Sequence, residues 1–258
     1  MGRVVAVANQ KGGVGKTTTA VNLSACLAVG DKRTLLIDLD PQGNATSALG
    51  VDREQVSRNT AGVLFDGQKA VDAATPTDIP SLLLVASGKD LLGAELTLGD
   101  MPERESCLKA GMAGCRDAYD FIVVDCPPSI GLLTVNAIVA ADTVLVPLQC
   151  EYFALEGLAQ ILETLRMCRQ RLNPGLQLEG VLLTMFDSRL RLSMQVAEDV
   201  RQHLPGRVFE AMIPRNVRLC EAPSFGKPVI LYDIRCPGAE AYLRLAREVV
   251  DGRTKGTW

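Results

Sequence analysis

The sequence predicts an α/β protein with a doubly wound, mainly parallel sheet flanked by helices. Three observations predict it. Seven short apolar runs recur along the 258 residues, without strong alternation of apolar and polar positions. Such runs suit parallel strands buried on both faces. Helical patterns lie between most of them, and strand–helix alternation favours a sheet wound in both directions. A glycine-rich turn joins the first run to the first helical pattern.

The elements follow in order. "RVVAVAN", starting at Arg3, reads as a strand and "KTTTAVNLSACLAV" as a helix. "RTLLIDLD", "SLLLVAS", "FIVVDCPP", "TVLVPLQ", "LEGVLLTMF" and "VFEAMIP" read as further strands. In "EYFALEGLAQILETLRMCRQRL", Leu155, Leu158, Ile161, Leu162, Leu165 and Leu172 fall at helical spacing. "NPG" at 173–175 stops that helix. Residues 51–80 are the least regular part and are expected to form surface helices and loops. "GAEAYLRLAREVV" reads as a final packing helix, followed by a frayed tail from about 251 to 258. No repeat or proline-rich linker interrupts the chain, so one domain is expected over residues 1–258.

Composition narrows the class. No apolar run approaches the roughly 18 residues of a membrane span. The N-terminus enters a strand pattern at once, without a signal-peptide core, so a cytoplasmic location is expected. The eight cysteines include no C-x-x-C pair, and His203 is the one histidine. They are expected to be structural thiols in a reducing compartment. The net charge of −3 does not advertise nucleic-acid binding. Between 185 and 218, however, six arginines face four acids, a weak local basic excess.

The chemistry starts at "ANQKGGVGKTTTAVNLSACLAVG", residues 8–30. The pattern G-x-x-x-x-G-K-[ST] fails there, because its first position is Gln10 and a second lysine, Lys11, precedes Lys16 by five residues. Gly12, Gly13, Val14 and Gly15 still form a turn whose amides can face one anion. The helix that follows adds a partial positive charge. Lys16 is placed to reach β- and γ-phosphates, and the Thr17 hydroxyl to ligate Mg²⁺. In "LLIDLDPQGNATSALG", Asp38 and Asp40 fall on one face of a strand that ends before Pro41. A carboxylate at that edge can hold metal-bound water or orient an attacking water. "YDFIVVDCPPSIG" is a hydrophobic strand ending in Asp125, the form that sits near the metal, usually through water.

"KGGVGKTT", "DLDPQGNAT", "DCPPS" and "IPRNVRLCEAPSFGKP" resemble the ParA/Soj branch of the deviant Walker-A P-loop ATPases, the chromosome and plasmid partition proteins. The resemblance runs from about residue 3 to 250. It implies a slow ATPase using ATP/ADP and Mg²⁺. Lys11 then reaches the partner's phosphates across an ATP-sandwich homodimer, as a trans cation would. Asp40 matches the water-activating aspartate, and Thr18 an α-phosphate contact. Pro214 and Asn216 match the loop holding adenine. Arg189 and Arg218 match positions used by the dimer to bind double-stranded DNA non-specifically. The resemblance further implies hydrolysis stimulated by a ParB/Spo0J-like protein, and a nucleoid-associated location. With a strand expected from Arg3, the helix-turn-helix of longer plasmid relatives is not expected. The tail "DGRTKGTW", with Trp258, is too short and polar for the membrane helix of MinD-like relatives, so no membrane is expected. A MinD-like or other cargo-positioning ATPase is the alternative. An iron–sulfur reductase like the nitrogenase iron protein is less favoured, since Cys126 lacks that family's flanking glycine.

Overall fold

The computed structural model describes residues 2–252. Their strands are β1 (Arg3–Val7), β2 (Thr34–Asp38), β3 (Thr75–Pro76), β4 (Leu82–Val85), β5 (Phe121–Asp125), β6 (Thr143–Gln149) and β7 (Gln177–Thr184). They form one sheet in the order β3-β4-β2-β5-β1-β6-β7. Every pairing is parallel except β3 with β4 at the edge.

Two apolar cores sandwich this sheet, and single strands feed both. Val4 and Ala6 of β1 enter one core, Val5 and Val7 the other. In β5, Ile122 and Val124 oppose Phe121 and Val123 in the same way. That is why the strand sequences show no polar face. Each fully buried large aliphatic side chain contributes about 1.5–3 kcal/mol.

The helices divide between the two faces. On one face lie α1 (Lys16–Val29), the short α2 (Asn44–Ala48) and the last helix, Pro237–Asp251. Tyr242 of that last helix hydrogen-bonds Thr19 of α1 at 3.2 Å. The other face carries α3 (Thr60–Phe65), Leu132–Ala140, Ala154–Arg171 and Arg191–His203. Within Ala154–Arg171, Leu158, Ile161 and Leu165 are buried, as their spacing predicts. Leu172 falls at the helix end and is 41% exposed.

Four expectations are corrected. "VFEAMIP" is not a strand of the sheet; it runs beside β7 through bridges Val181–Val208 and Phe186–Pro214. Between those bridges the amides of Glu210 and Ala211 donate instead to the buried Glu248 carboxylate, at 2.9 and 2.8 Å. The strand "RTLLIDLD" ends at Asp38, so Asp40 lies in the following loop. Residues 51–80 are not all surface: Thr60 to Leu64 of α3 are buried. Asn59 caps α3 by accepting from the Gly62 amide at 3.1 Å, and the Thr60 hydroxyl donates to the Asp38 carbonyl at 2.8 Å. Asp251 belongs to the final helix. Residues 253–258, with Trp258, lie outside the described residues.

Candidate active site

Parallel strands deliver their carboxyl ends to one edge, where ligands bind in open α/β sheets. Here β1, β2, β5, β6 and β7 end at Val7, Asp38, Asp125, Gln149 and Thr184. Asp125 is in register with Val7 on one side and Asp38 on the other. The glycine-rich loop therefore leaves the sheet next to two aspartates.

Gly15 is the N-cap of α1 at φ 89°, a left-handed conformation that L side chains resist. It turns the chain so that α1 begins at Lys16. The Thr184 hydroxyl holds the loop from β7 by donating to the Val14 carbonyl at 2.9 Å. The Lys16 ammonium lies within the loop and donates to the Lys11 carbonyl at 2.9 Å. Burial lowers its pKa, opposed chiefly by the charge of Asp125.

Three carboxylates share this edge and are held differently. Asp38 is fully buried and accepts from the Thr46 amide (2.8 Å), the Thr46 hydroxyl (2.6 Å) and the Asp40 amide (3.2 Å). Burial raises its pKa to about 6 despite those donors. Asp125 is also fully buried, and neither carboxylate oxygen has a hydrogen-bond partner of standard geometry. Burial, then the charge of Asp38, holds its pKa well above the ordinary value. The nearby Thr17 hydroxyl opposes that rise. Asp40 is 5% exposed and accepts from the Gln42 amide at 2.9 Å.

Two adjoining cavities extend from this edge. One, of about 410 Å³, is lined by Gly13, Lys16, Thr17, Asp40 and Pro128. The other, of about 270 Å³, is lined by Ile213, Pro214, Asn216, Leu219, Cys220 and Tyr242. Gly15, Thr18 and Met185 line both. A polar, lysine-bearing hollow thus joins a more apolar one, the arrangement that a phosphate chain and a base require. Pro214 and Asn216, which the resemblance assigns to an adenine loop, both line the second cavity. The Asn216 carboxamide oxygen caps the helix Val217–Glu221 by accepting from the Arg218 amide at 2.9 Å. Its NH₂ is the group that can donate to a ligand.

Lys11 does not line either cavity. Its side chain is 42% exposed, and its ammonium pairs with Glu151, beyond β6. The two lysines of the loop therefore serve different spaces. Glu151 and Met185 escaped the sequence reading. Met185 holds a left-handed backbone at φ 50° just after β7, which costs a non-glycine residue about 1–2 kcal/mol. No periodicity signals either position.

The arginine surface is less basic than the residue count suggested. Arg189 forks onto Asp187 at 2.9 and 2.7 Å, and pulls that carboxyl down to about 2. Arg218 pairs with Glu221 at 2.8 Å and Asp233 at 3.4 Å. Arg207 is 7% exposed and donates to the Leu178 carbonyl, so it faces no ligand. Six of the eight cysteines are buried and all eight are free thiols. Cys126 is fully buried with its pKa raised by desolvation, which keeps it from a cluster on the surface. Among the described residues no helix is long and apolar enough to cross a membrane.

Known proteins share this architecture. A family model described as an AAA domain matches residues 2–178. The chromosome partitioning protein ParA of Caulobacter vibrioides is 53% identical over 250 residues, 96% of this chain and 94% of that protein. The sporulation initiation inhibitor protein Soj of Bacillus subtilis is 51% identical over 249 residues, 96% and 98% of the two chains. A Mycobacterium smegmatis structure described as cobyrinic acid a,c-diamide synthase, with bound ADP and magnesium, superposes at a TM-score of 0.85. It is 38% identical and covers 100% of this chain and 99% of its own. Its activity name differs, but the partition proteins match at higher identity over nearly the full length. With the two-lysine loop, the aspartate-ended strands and the apolar cavity in place, the chain belongs to the ParA/Soj family of chromosome-partitioning ATPases.

Proposed function

We propose that this chain is a DNA-partition ATPase whose ATP-bound homodimer binds DNA without sequence preference and is released by partner-stimulated hydrolysis. The observation that carries it is the separation of the two loop lysines. Lys16 lines the cavity at the glycine-rich loop, while Lys11 projects toward Glu151 outside it. A cation presented outward from a phosphate loop is placed to neutralise charge on a second molecule.

The loop amides of residues 12–15, with Lys16 and Thr18, would hold the ATP phosphates. Pro214 and Asn216 would flank the base. Mg²⁺ fits the group of buried carboxylates, in which Asp125 has no hydrogen bond of standard geometry. No group of three metal-ligating side chains converges among the described residues. That suits a metal which keeps most of its oxygen ligands from phosphate and water. Thr17 would ligate it, with Asp40 and Asp125 acting indirectly. When bound, it would neutralise charge on the phosphate oxygens. Asp40 would orient the attacking water. The reading carries with it a cytoplasmic, nucleoid-associated protein, stimulated by a ParB-like partner.

Lys11→Ala tests this reading. The variant should bind nucleotide like wild type yet stay monomeric with ATP in gel filtration with light scattering. Normal ATP-dependent dimerisation of the variant would remove Lys11 from the interface.

A further inference from the structure

One guanidinium ties together the loop that carries Asp40. Arg53 Nη1 donates to the Gln42 carbonyl at 2.6 Å, and Nη2 to the Pro41 carbonyl at 2.7 Å. Its Nε donates to the Ser87 carbonyl at 2.9 Å, and Nη2 also to the Gly88 carbonyl at 3.0 Å. Pro41 and Gln42 follow Asp40; Ser87 and Gly88 follow β4. Arg53 therefore spans two loops at the catalytic edge. Arginine suits this task because its donors form a rigid planar fork.

Two further observations converge on the same contact. The fully buried Ser87 donates its hydroxyl to the Asp40 carbonyl at 2.7 Å. Its amide donates to the Thr46 hydroxyl at 2.9 Å, which in turn donates to Asp38. Ser87 is thus the post against which Arg53 clamps the Asp40 loop. Gly43 lies beneath the guanidinium at φ 67°. A Cβ there would meet Arg53 Nε at 2.4 Å and Cζ at 2.5 Å. The glycine leaves the surface on which the guanidinium lies.

We infer that Arg53 is a positioning residue for ATP hydrolysis, clamping the Asp40 loop to the end of β4. The assignment rests on the reading of Asp40 as the water-orienting group. Arg53 itself lines neither cavity; it reaches the one at the phosphate loop only through the backbone of Gln42, which lines it. Its loss should therefore change turnover and leave nucleotide affinity alone. A misplacement of about 1 Å in a catalytic group costs as much as a hundredfold in rate.

The test compares wild type with Arg53→Ala, Arg53→Lys and Gly43→Ala. Steady-state kinetics give kcat and KM for ATP. Binding of a fluorescent ATP analogue gives affinity. Amide exchange by mass spectrometry reports residues 39–50 without nucleotide. Arg53→Ala should lower kcat about tenfold to a hundredfold, with KM and analogue affinity within about twofold, and should speed exchange in that segment. Arg53→Lys should recover part of kcat, since one ammonium cannot span four carbonyls. Gly43→Ala should reproduce the kcat loss, with affinity retained. Unchanged kcat or unchanged exchange in Arg53→Ala overturns the assignment. So does a parallel loss of kcat and affinity, which marks a merely structural residue. A wild type that hydrolyses no ATP overturns the ATPase reading and this assignment with it, and that result needs no variant to be recognised.

Discussion

The phosphate edge and the arginine surface carry opposite kinds of charge. At the edge, Asp125 is buried with no hydrogen bond of standard geometry and Lys16 is buried against a carbonyl. On the surface, Arg189 and Arg218 are exposed, and each is matched to acids of its own chain. Burying a charge without a partner is costly, so such a group either shifts its pKa toward the neutral form or waits for a ligand that supplies the missing partner. Exposed ion pairs contribute little, so their presence says little about ligands. The first region is legible as a site from one subunit. The second becomes one only if phosphates displace the intramolecular acids.

The comparison breaks most visibly at Lys16. Lys16→Ala should lower nucleotide affinity on the order of a hundredfold or more, because a buried charge pair loses one member. Calorimetric titration with ATP would show it; affinity close to wild type would place the phosphates elsewhere.

Asp40→Ala should separate binding from turnover. Single-turnover hydrolysis is expected to fall on the order of a hundredfold, while the ATP-bound dimer persists because the phosphate contacts remain. Hydrolysis at the wild-type rate would deprive Asp40 of its role.

On the arginine side the effects are smaller and salt-dependent. Arg218→Ala should weaken binding of the ATP dimer to two unrelated duplexes alike. It should remove roughly two units from the slope of log affinity against log salt, one per subunit. Glu221→Gln should strengthen binding about two- to fivefold, by removing one of the two exposed pairs that hold Arg218. An unchanged slope in Arg218→Ala takes that residue off the DNA surface. Equal affinity with ADP and ATP would end the dimer-switch reading.

The smallest effect concerns stability against pH. Asp38 and Asp125 have folded-state pKa values above those of an unfolded chain, which titrates near about 4. The folded state therefore holds protons that the unfolded state releases. Their contribution to stability is present below that value and is lost as pH rises, through about 6 for Asp38 and further for Asp125. Asp125→Asn should flatten this decline in melting temperature for the nucleotide-free protein, and should lower ATP turnover. A steeper decline in the variant would show that the carboxylate is stabilised in the native edge.

Most of the fold could be read from the chain because strands buried on both faces must be apolar throughout. Six of the seven runs are strands of the sheet for that reason. β3 was missed because two residues around Pro76 carry no period. "VFEAMIP" misled because its backbone partners include a side chain, Glu248, distant in sequence.

Local spacing alone determined the phosphate loop and the two strands that run into aspartates, since each needs adjacent residues in a fixed order, whereas the loop at Pro214 was implied only by the family resemblance. Tertiary structure alone decided which charges have partners. Glu151 meets Lys11 across 140 residues, Arg53 meets Ser87 across 34, and Asp125 has no hydrogen bond of standard geometry. Pairing depends on where the packed sheet brings distant side chains, and burial then sets what an unmet charge costs.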